Sequence, residues 1–111
     1  MEIEINGKKV ELKFGVRFVR ELDKLRSPEI NDVKVGMALD VTLPVLTAHD
    51  PALISDYIYC AAYKNHPRPT RTEIDQFLDT CEDFDKVADQ VVEEVKESNV
   101  IKSAAKKYLK G

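Results

Sequence analysis

Residues 2–14, "EIEINGKKVELKF", decide the fold. Asn6-Gly7 tolerates the positive φ angles that a two-residue type I′ turn demands, and the runs on either side alternate apolar with charged residues at period two. Pairing Ile5 with Lys8 sets the register, so that Glu4 faces Lys9, Ile3 faces Val10, Glu2 faces Glu11 and Met1 faces Leu12. Met1, Ile3, Ile5, Val10, Leu12 and Phe14 then share one face, and charge covers the other. Glu4 opposite Lys9 is favourable, whereas Glu2 opposite Glu11 is not unless Lys9 or Lys13 relieves it diagonally. An isolated two-stranded hairpin is marginal in water, so the rest of the chain or a second chain must cover its apolar face.

Helical periodicity follows at once. Phe14, Phe18, Leu22 and Leu25 recur at three- and four-residue steps with Val19 beside them, which predicts an amphipathic helix from about Gly15 to Arg26, ended by Ser27-Pro28. Pro28, Asn31 and Asp32 favour turns, so the stretch to Asp32 reads as a loop. Val33 to Ala48 is apolar nearly all round and reads as a helix buried on several sides, which Pro44 should bend or break about a turn earlier. Asp50-Pro51 is a helix start in which the carboxylate can cap free backbone donors, and Leu53, Ile54, Tyr57, Ile58, Ala61 and Ala62 give that helix a broad apolar face. Beyond the "NHPRPT" loop, Thr70 and Glu73 have capping-box spacing, with Ile74, Phe77, Leu78 and Cys81 on the buried side. A further stripe comprises Phe84, Val87, Ala88, Val91, Val92 and Val95. Near Ser98-Asn99 the helix pauses or continues, and Val100, Ile101, Ala104, Ala105, Tyr108 and Leu109 again fall at helical spacing.

With 111 residues, 43% apolar and 33% charged, the chain has room for one domain and one modest core. Its most apolar stretch, Val35 to Tyr63, is interrupted by Asp40, Asp50, Asp56, Pro44 and Pro51, which does not suit a membrane span, and the strand at the N-terminus does not resemble a signal peptide. Cys60 and Cys81 sit in helical apolar patterns without a metal-ligand spacing and read as buried reduced thiols. The net charge of -3 conceals an asymmetry. Residues 73–97 carry ten acids against Lys86 and Lys96, a balance of -8, while residues 98–111 carry Lys102, Lys106, Lys107 and Lys110, a balance of +4. A solvated acidic helix face and a basic tail account for both.

Catalytic motifs are missing: there is no G-x-G-x-x-G, P-loop, G-x-S-x-G or H-E-x-x-H. His49 and His66 read as solvent-exposed loop histidines, and "DTCEDFD" (79–85) lacks the glycine and terminal glutamate of an EF-hand loop. Arg68 and Arg71 in "HPRPTR" have no aromatic platform or basic stripe beside them, which argues against a nucleic-acid partner. No enzyme activity, cofactor or metal is expected. Interaction surfaces remain. The segment from Asn99 either docks on its own domain or engages a partner in helix-in-groove fashion, with Val100, Ile101, Ala105, Tyr108 and Leu109 as the candidate partner-binding residues. The hairpin edge offers strand addition, including self-association.

The runs "EIEINGKKVELKFGVRFVRELDK", "VGMALDVTLPVL", "DPALISDYIYCAAY", "RPTRTEIDQFLD" and "EEVKESN" together resemble the tail assembly chaperones of long-tailed phages and prophages of Gram-positive bacteria, from residue 2 to about residue 107. The resemblance implies a non-enzymatic protein of the host bacterial cytoplasm that is not part of the mature virion. Its partners would be the tape measure protein, which it keeps soluble, and the tail tube (major tail) protein, whose subunits it helps assemble, with no membrane partner. It also implies a longer product made by programmed frameshift, for which Lys106-Lys107 near the end is the kind of dipeptide an A-rich slippery sequence encodes, although a basic helix end suited to the helix dipole accounts for the same residues. From the residues alone, a small cytoplasmic regulatory adaptor, anti-repressor or antitoxin-like, stays open as the alternative.

The expected fold is α+β: an N-terminal antiparallel β-hairpin packed on a mostly α-helical domain of about five helices. It forms a single domain over 1–111, with the hairpin at 1–14, a helical core at 15–98 built from the segments around Phe18, Val41, Ile58, Phe77 and Val91, and a C-terminal helix or tail at 99–111.

Overall fold

Two four-residue strands, β1 (Glu2–Ile5) and β2 (Lys8–Glu11), pair antiparallel in the register Ile5 with Lys8, Glu4 with Lys9, Ile3 with Val10 and Glu2 with Glu11 in the computed structural model of the chain. The turn residues Asn6 and Gly7 have φ of 54° and 77°, as a type I′ turn requires. The ladder continues past the strands, with Leu12 N–H donating to the Met1 carbonyl at 2.8 Å. Ile3, Ile5, Val10, Leu12 and Phe14 are all buried. Lys13 Nζ lies 3.8 Å from Glu11 and relieves the repulsion between Glu11 and Glu2. The structure describes residues 1–34 and 36–108.

Helix α1 (Val16–Arg26) follows the expected stripe, with Phe18 and Leu22 fully buried. The segment read as a loop holds a second, very short hairpin of β3 (Glu29–Ile30) and β4 (Val33–Lys34), turning at Asn31 and Asp32 with φ of 52° and 64°. Helix α2 therefore begins at Ala38, not Val33, and runs to Leu46. Pro44 stays inside it without ending it. Proline leaves the Asp40 carbonyl without its helical donor, and since both residues are exposed, water can serve that carbonyl.

Helix α3 (Pro51–Ala61) crosses the centre of the molecule, burying Leu53, Ile54, Tyr57, Ile58, Cys60 and Ala61. Asp50 precedes it as expected, but its side chain makes no capping bond. Its backbone carbonyl instead accepts from Ile54 N–H at 2.9 Å, and the exposed carboxylate is left to solvent. Helix α4 (Arg71–Thr80) opens on the full capping box: Glu73 N–H donates to Thr70 Oγ1 at 3.1 Å, and Thr70 N–H donates to Glu73 Oε1 at 2.9 Å. Asp83 caps α5 (Phe84–Glu97) by accepting from Lys86 N–H. The helix stops at Ser98, whose backbone is extended, and after a turn α6 (Lys102–Tyr108) begins.

The core sits where the hairpin's apolar face, α1, α3 and the inner sides of α2, α4, α5 and α6 meet. Phe14, Phe18 and Tyr57 form a chain of edge-on ring contacts with centroids 5.0 and 5.1 Å apart, joining hairpin, α1 and α3. The hairpin is fastened by hydrogen bonds as well: Lys13 N–H donates to the Ala61 carbonyl at 2.9 Å, and Ser98 Oγ donates to the Phe14 carbonyl. Of the residues expected to mark the core, Phe18, Ile58 and Val91 are fully buried and Phe77 is half-buried, but Val41 is 54% exposed. With the helix starting at Ala38, the inward side is Ala38, Thr42, Leu43 and Leu46, which turns Val41 outward.

Candidate interaction surfaces

The outward side of α2 is apolar although it faces solvent. Met37 (46% exposed), Val41 (54%) and Val45 (51%) recur at four-residue steps, with Pro44 and Ala48 exposed on the same side. Neighbouring elements hold this stripe in place. Gly36, at φ of 65°, makes a bend that a side chain would strain, and its N–H donates to Ser27 Oγ at 2.6 Å. Asp23 Oδ1, from α1, accepts from Ala38 N–H at 3.1 Å and serves as the N-terminal cap that α2 lacks in its own sequence. On the inner side, Thr42 Oγ1 donates to the Ala38 carbonyl at 2.8 Å and lies 2.7 Å from the Tyr57 hydroxyl. Burial pushes the Tyr57 hydroxyl up to about 12, so it remains a neutral hydrogen-bonding group.

The C-terminal candidates are divided by the fold. Ile101 is fully buried and Ala105 nearly so, both within the domain's own core, where α6 packs on α2 and α5. Val100 is 49% exposed. Tyr108 closes α6, and Leu109 lies outside the described residues.

Arg68 and Arg71 are held by carboxylates. Arg68 donates to Glu21 Oε1 at 2.6 Å and lies over the Tyr59 ring at 4.3 Å, and its Nε is buried without an acceptor. Glu21 also accepts from Lys24 at 2.9 Å and Arg17 at 3.4 Å. The Lys24 hydrogen bond, then that of Arg68, holds the Glu21 carboxyl down at about 2. Asp56 receives Arg26 and Arg71, each at 2.6 Å, and Ser55 donates to Asp75. These pairs bind α1, α3, α4 and the 65–70 loop together. The sequence contained a signal for Glu21 in the cations at i−4 and i+3, but nothing announced Arg68 across 47 positions.

His49 is half-buried, not free in solvent. Its Nδ1 lies 2.9 Å from Asp85 and its Nε2 2.9 Å from Asp89, which pins the α2–α3 corner to the first turns of α5. The hydrogen bond to Asp85, aided by the charge of Asp89, raises its pKa above 6.5. Of the acidic run 79–85, Asp83 is thus a helix cap and Asp85 a histidine partner, and no group of three or more His, Cys, Asp or Glu among the described residues could hold a metal ion. Cys60 is buried, and desolvation pushes its thiol up to about 12; Cys81 is only half-buried, and both are free thiols.

The two hairpin edges differ. Since Met1 pairs with Leu12 through backbone hydrogen bonds, Lys9, Glu11 and Lys13 point their backbone groups away from β1, and Glu2 and Glu4 point theirs away from β2. Asn65 closes the β2 side: its Oδ1 accepts from Glu11 N–H at 3.1 Å, its Nδ2 donates to the Glu11 carbonyl at 2.8 Å, and Ala61 takes the Lys13 N–H. The β1 side has no such cover among the described residues.

These features define a small α+β protein whose distinctive surfaces are suited to contact with other chains; no helix among the described residues is long and apolar enough to cross a membrane. Residues 2–110 match the family described as phage tail assembly chaperone protein, TAC, and the chain belongs to that family. Comparison with curated proteins and with solved structures returned no match.

Proposed function

We infer that this chain binds the tape measure protein of its phage, keeps that long helical client soluble, and helps tail tube subunits assemble around it in the host cytoplasm without entering the finished virion. Family membership supports the setting. The observation that carries the client reading is the Met37–Val41–Val45 stripe, because a helical client is held through repeated apolar contacts at helical spacing. The chain acts as one domain over 1–111. In this reading Val100, Ile101, Ala105, Tyr108 and Leu109 form a second contact, for which α6 must leave its seat on α2 and α5 so that Ile101 and Ala105 become available. A longer frameshifted product supplies a further domain for the tail tube protein.

Co-expression with the tape measure protein from the same phage, followed by pull-down and a solubility assay, tests the reading. The client is expected to become soluble and co-purify. Val41→Gln with Val45→Gln should abolish co-purification while leaving the fold intact, because exposed substitutions shift stability by only about 0.5 kcal/mol each. Truncation after Ser98 tests the second contact. A client that stays insoluble with both the short chain and any frameshifted form overturns the assignment.

A further inference from the structure

We propose that the open edge of β1 is a docking site for an extended, basic polypeptide segment that adds as a third strand, with lysine or arginine alternating with apolar residues. The site is separate from the α2 stripe and does not depend on how that stripe is read.

Register places the backbone N–H and C=O of both Glu2 and Glu4 outward, and none of them has a partner among the described residues. Among the described residues the other edge is occupied at Glu11 by Asn65 and at Lys13 by Ala61, whereas nothing pairs with this one. A groove of about 540 Å³ runs beside it, between Glu4–Asn6 and α4. The groove closes at the turn, where Asn6 Nδ2 donates to Glu73 Oε2 at 3.1 Å, so an added strand pairs with Glu2 and Glu4 and no further.

The two faces of such a strand meet different chemistry. Residues directly opposite Glu2 and Glu4 share the solvent face with two carboxylates: Glu2 faces Glu11, whose cation is Lys13, and Glu4 faces Lys9 across the ladder without closing an ion pair among the described residues. Opposite-charge cross-strand pairs are favourable there and like charges are not, which selects a basic segment over an acidic one. The alternate residues point toward the groove wall, where Phe77 and Cys81 are half-buried. Beyond Met1, whose ammonium lies 3.7 Å from Glu94, a second groove along α5 is lined by Asp89, Glu93, Glu97 and other carboxylates with Lys86 among them. Main-chain hydrogen bonds supply the attachment and the alternation supplies the selectivity.

The test uses the whole chain, labelled with ¹⁵N, and an eight-residue peptide alternating lysine with valine and threonine. The expected result is slowed amide exchange at Glu2 and Glu4 on adding the peptide, loss of that protection when the peptide's pairing amides are N-methylated, and about tenfold weaker binding to Glu2→Gln with Glu4→Gln at low salt. Circular dichroism of that double variant verifies that the hairpin is intact. Three outcomes overturn the proposal: no binding, binding that leaves the Glu2 and Glu4 amides unprotected, or equal protection by the glutamate version of the peptide. Concentration-dependent protection without any peptide also overturns it, because the edge is then taken by a second copy of the chain.

Discussion

His49 adopts φ of 57°, and its ring nitrogens bridge Asp85 and Asp89. Because the folded pKa is raised, this contact stabilises fully below the ordinary value of 6.5 and fades as pH rises through the elevated one. His49→Asn keeps a residue that tolerates positive φ but removes the cation. Thermal unfolding should show a loss of up to about 1 kcal/mol near pH 6 and a smaller one at alkaline pH. An equal loss at both pH values would mean that the ring acts by packing alone. Glu21 behaves in the opposite sense. Its depressed pKa gives stability that is complete above the ordinary 4.5 and is lost as pH falls toward about 2. Glu21→Gln leaves Arg68 half-buried beside a neutral amide, and denaturant unfolding should register a loss of about 2 kcal/mol.

At the scale of elements, the hairpin acts as a lid whose ladder parity decides which substitutions it tolerates. Val10 faces Ile3 in a backbone-bonded pair, so Val10→Pro removes a ladder donor and strains a buried strand. Near-UV circular dichroism should show lost tertiary packing, and a variant as stable as the parent would contradict the lid. The hairpin was legible in the sequence because its turn chemistry and alternation are local. Helix α2 was not. Val33 to Ala48 is apolar nearly all round and reads as one helix, yet Asn31-Asp32 and Gly36 at positive φ take the first part into β4 and the bend before Ala38. The five-residue shift of the start, from Val33 to Ala38, goes with Val41 lying on the exposed side and not in the expected core.

For the whole molecule, α6 determines whether the C-terminal segment belongs to the core. Ile101→Ala should cost about 2–4 kcal/mol by opening a cavity between α6 and its neighbours, whereas Val100→Ala should change stability by no more than about 0.5 kcal/mol. Differential scanning calorimetry separates the two. If both are neutral, α6 is not seated in the core.

What the sequence determined by itself was whatever a few adjacent residues control: the hairpin and its register, the capping box at Thr70, and the apolar stripes of α1, α3 and α5. The tertiary structure alone decided what depends on residues distant in the chain. It paired Arg68 with Glu21 and His49 with two aspartates, closed β2 with Asn65 while leaving β1 open, and turned one side of α2 to solvent. The reason is physical. Local turns and caps are fixed by backbone sterics and hydrogen bonds within a few residues, whereas the partner of a charge and the orientation of an apolar face are set by which elements pack together.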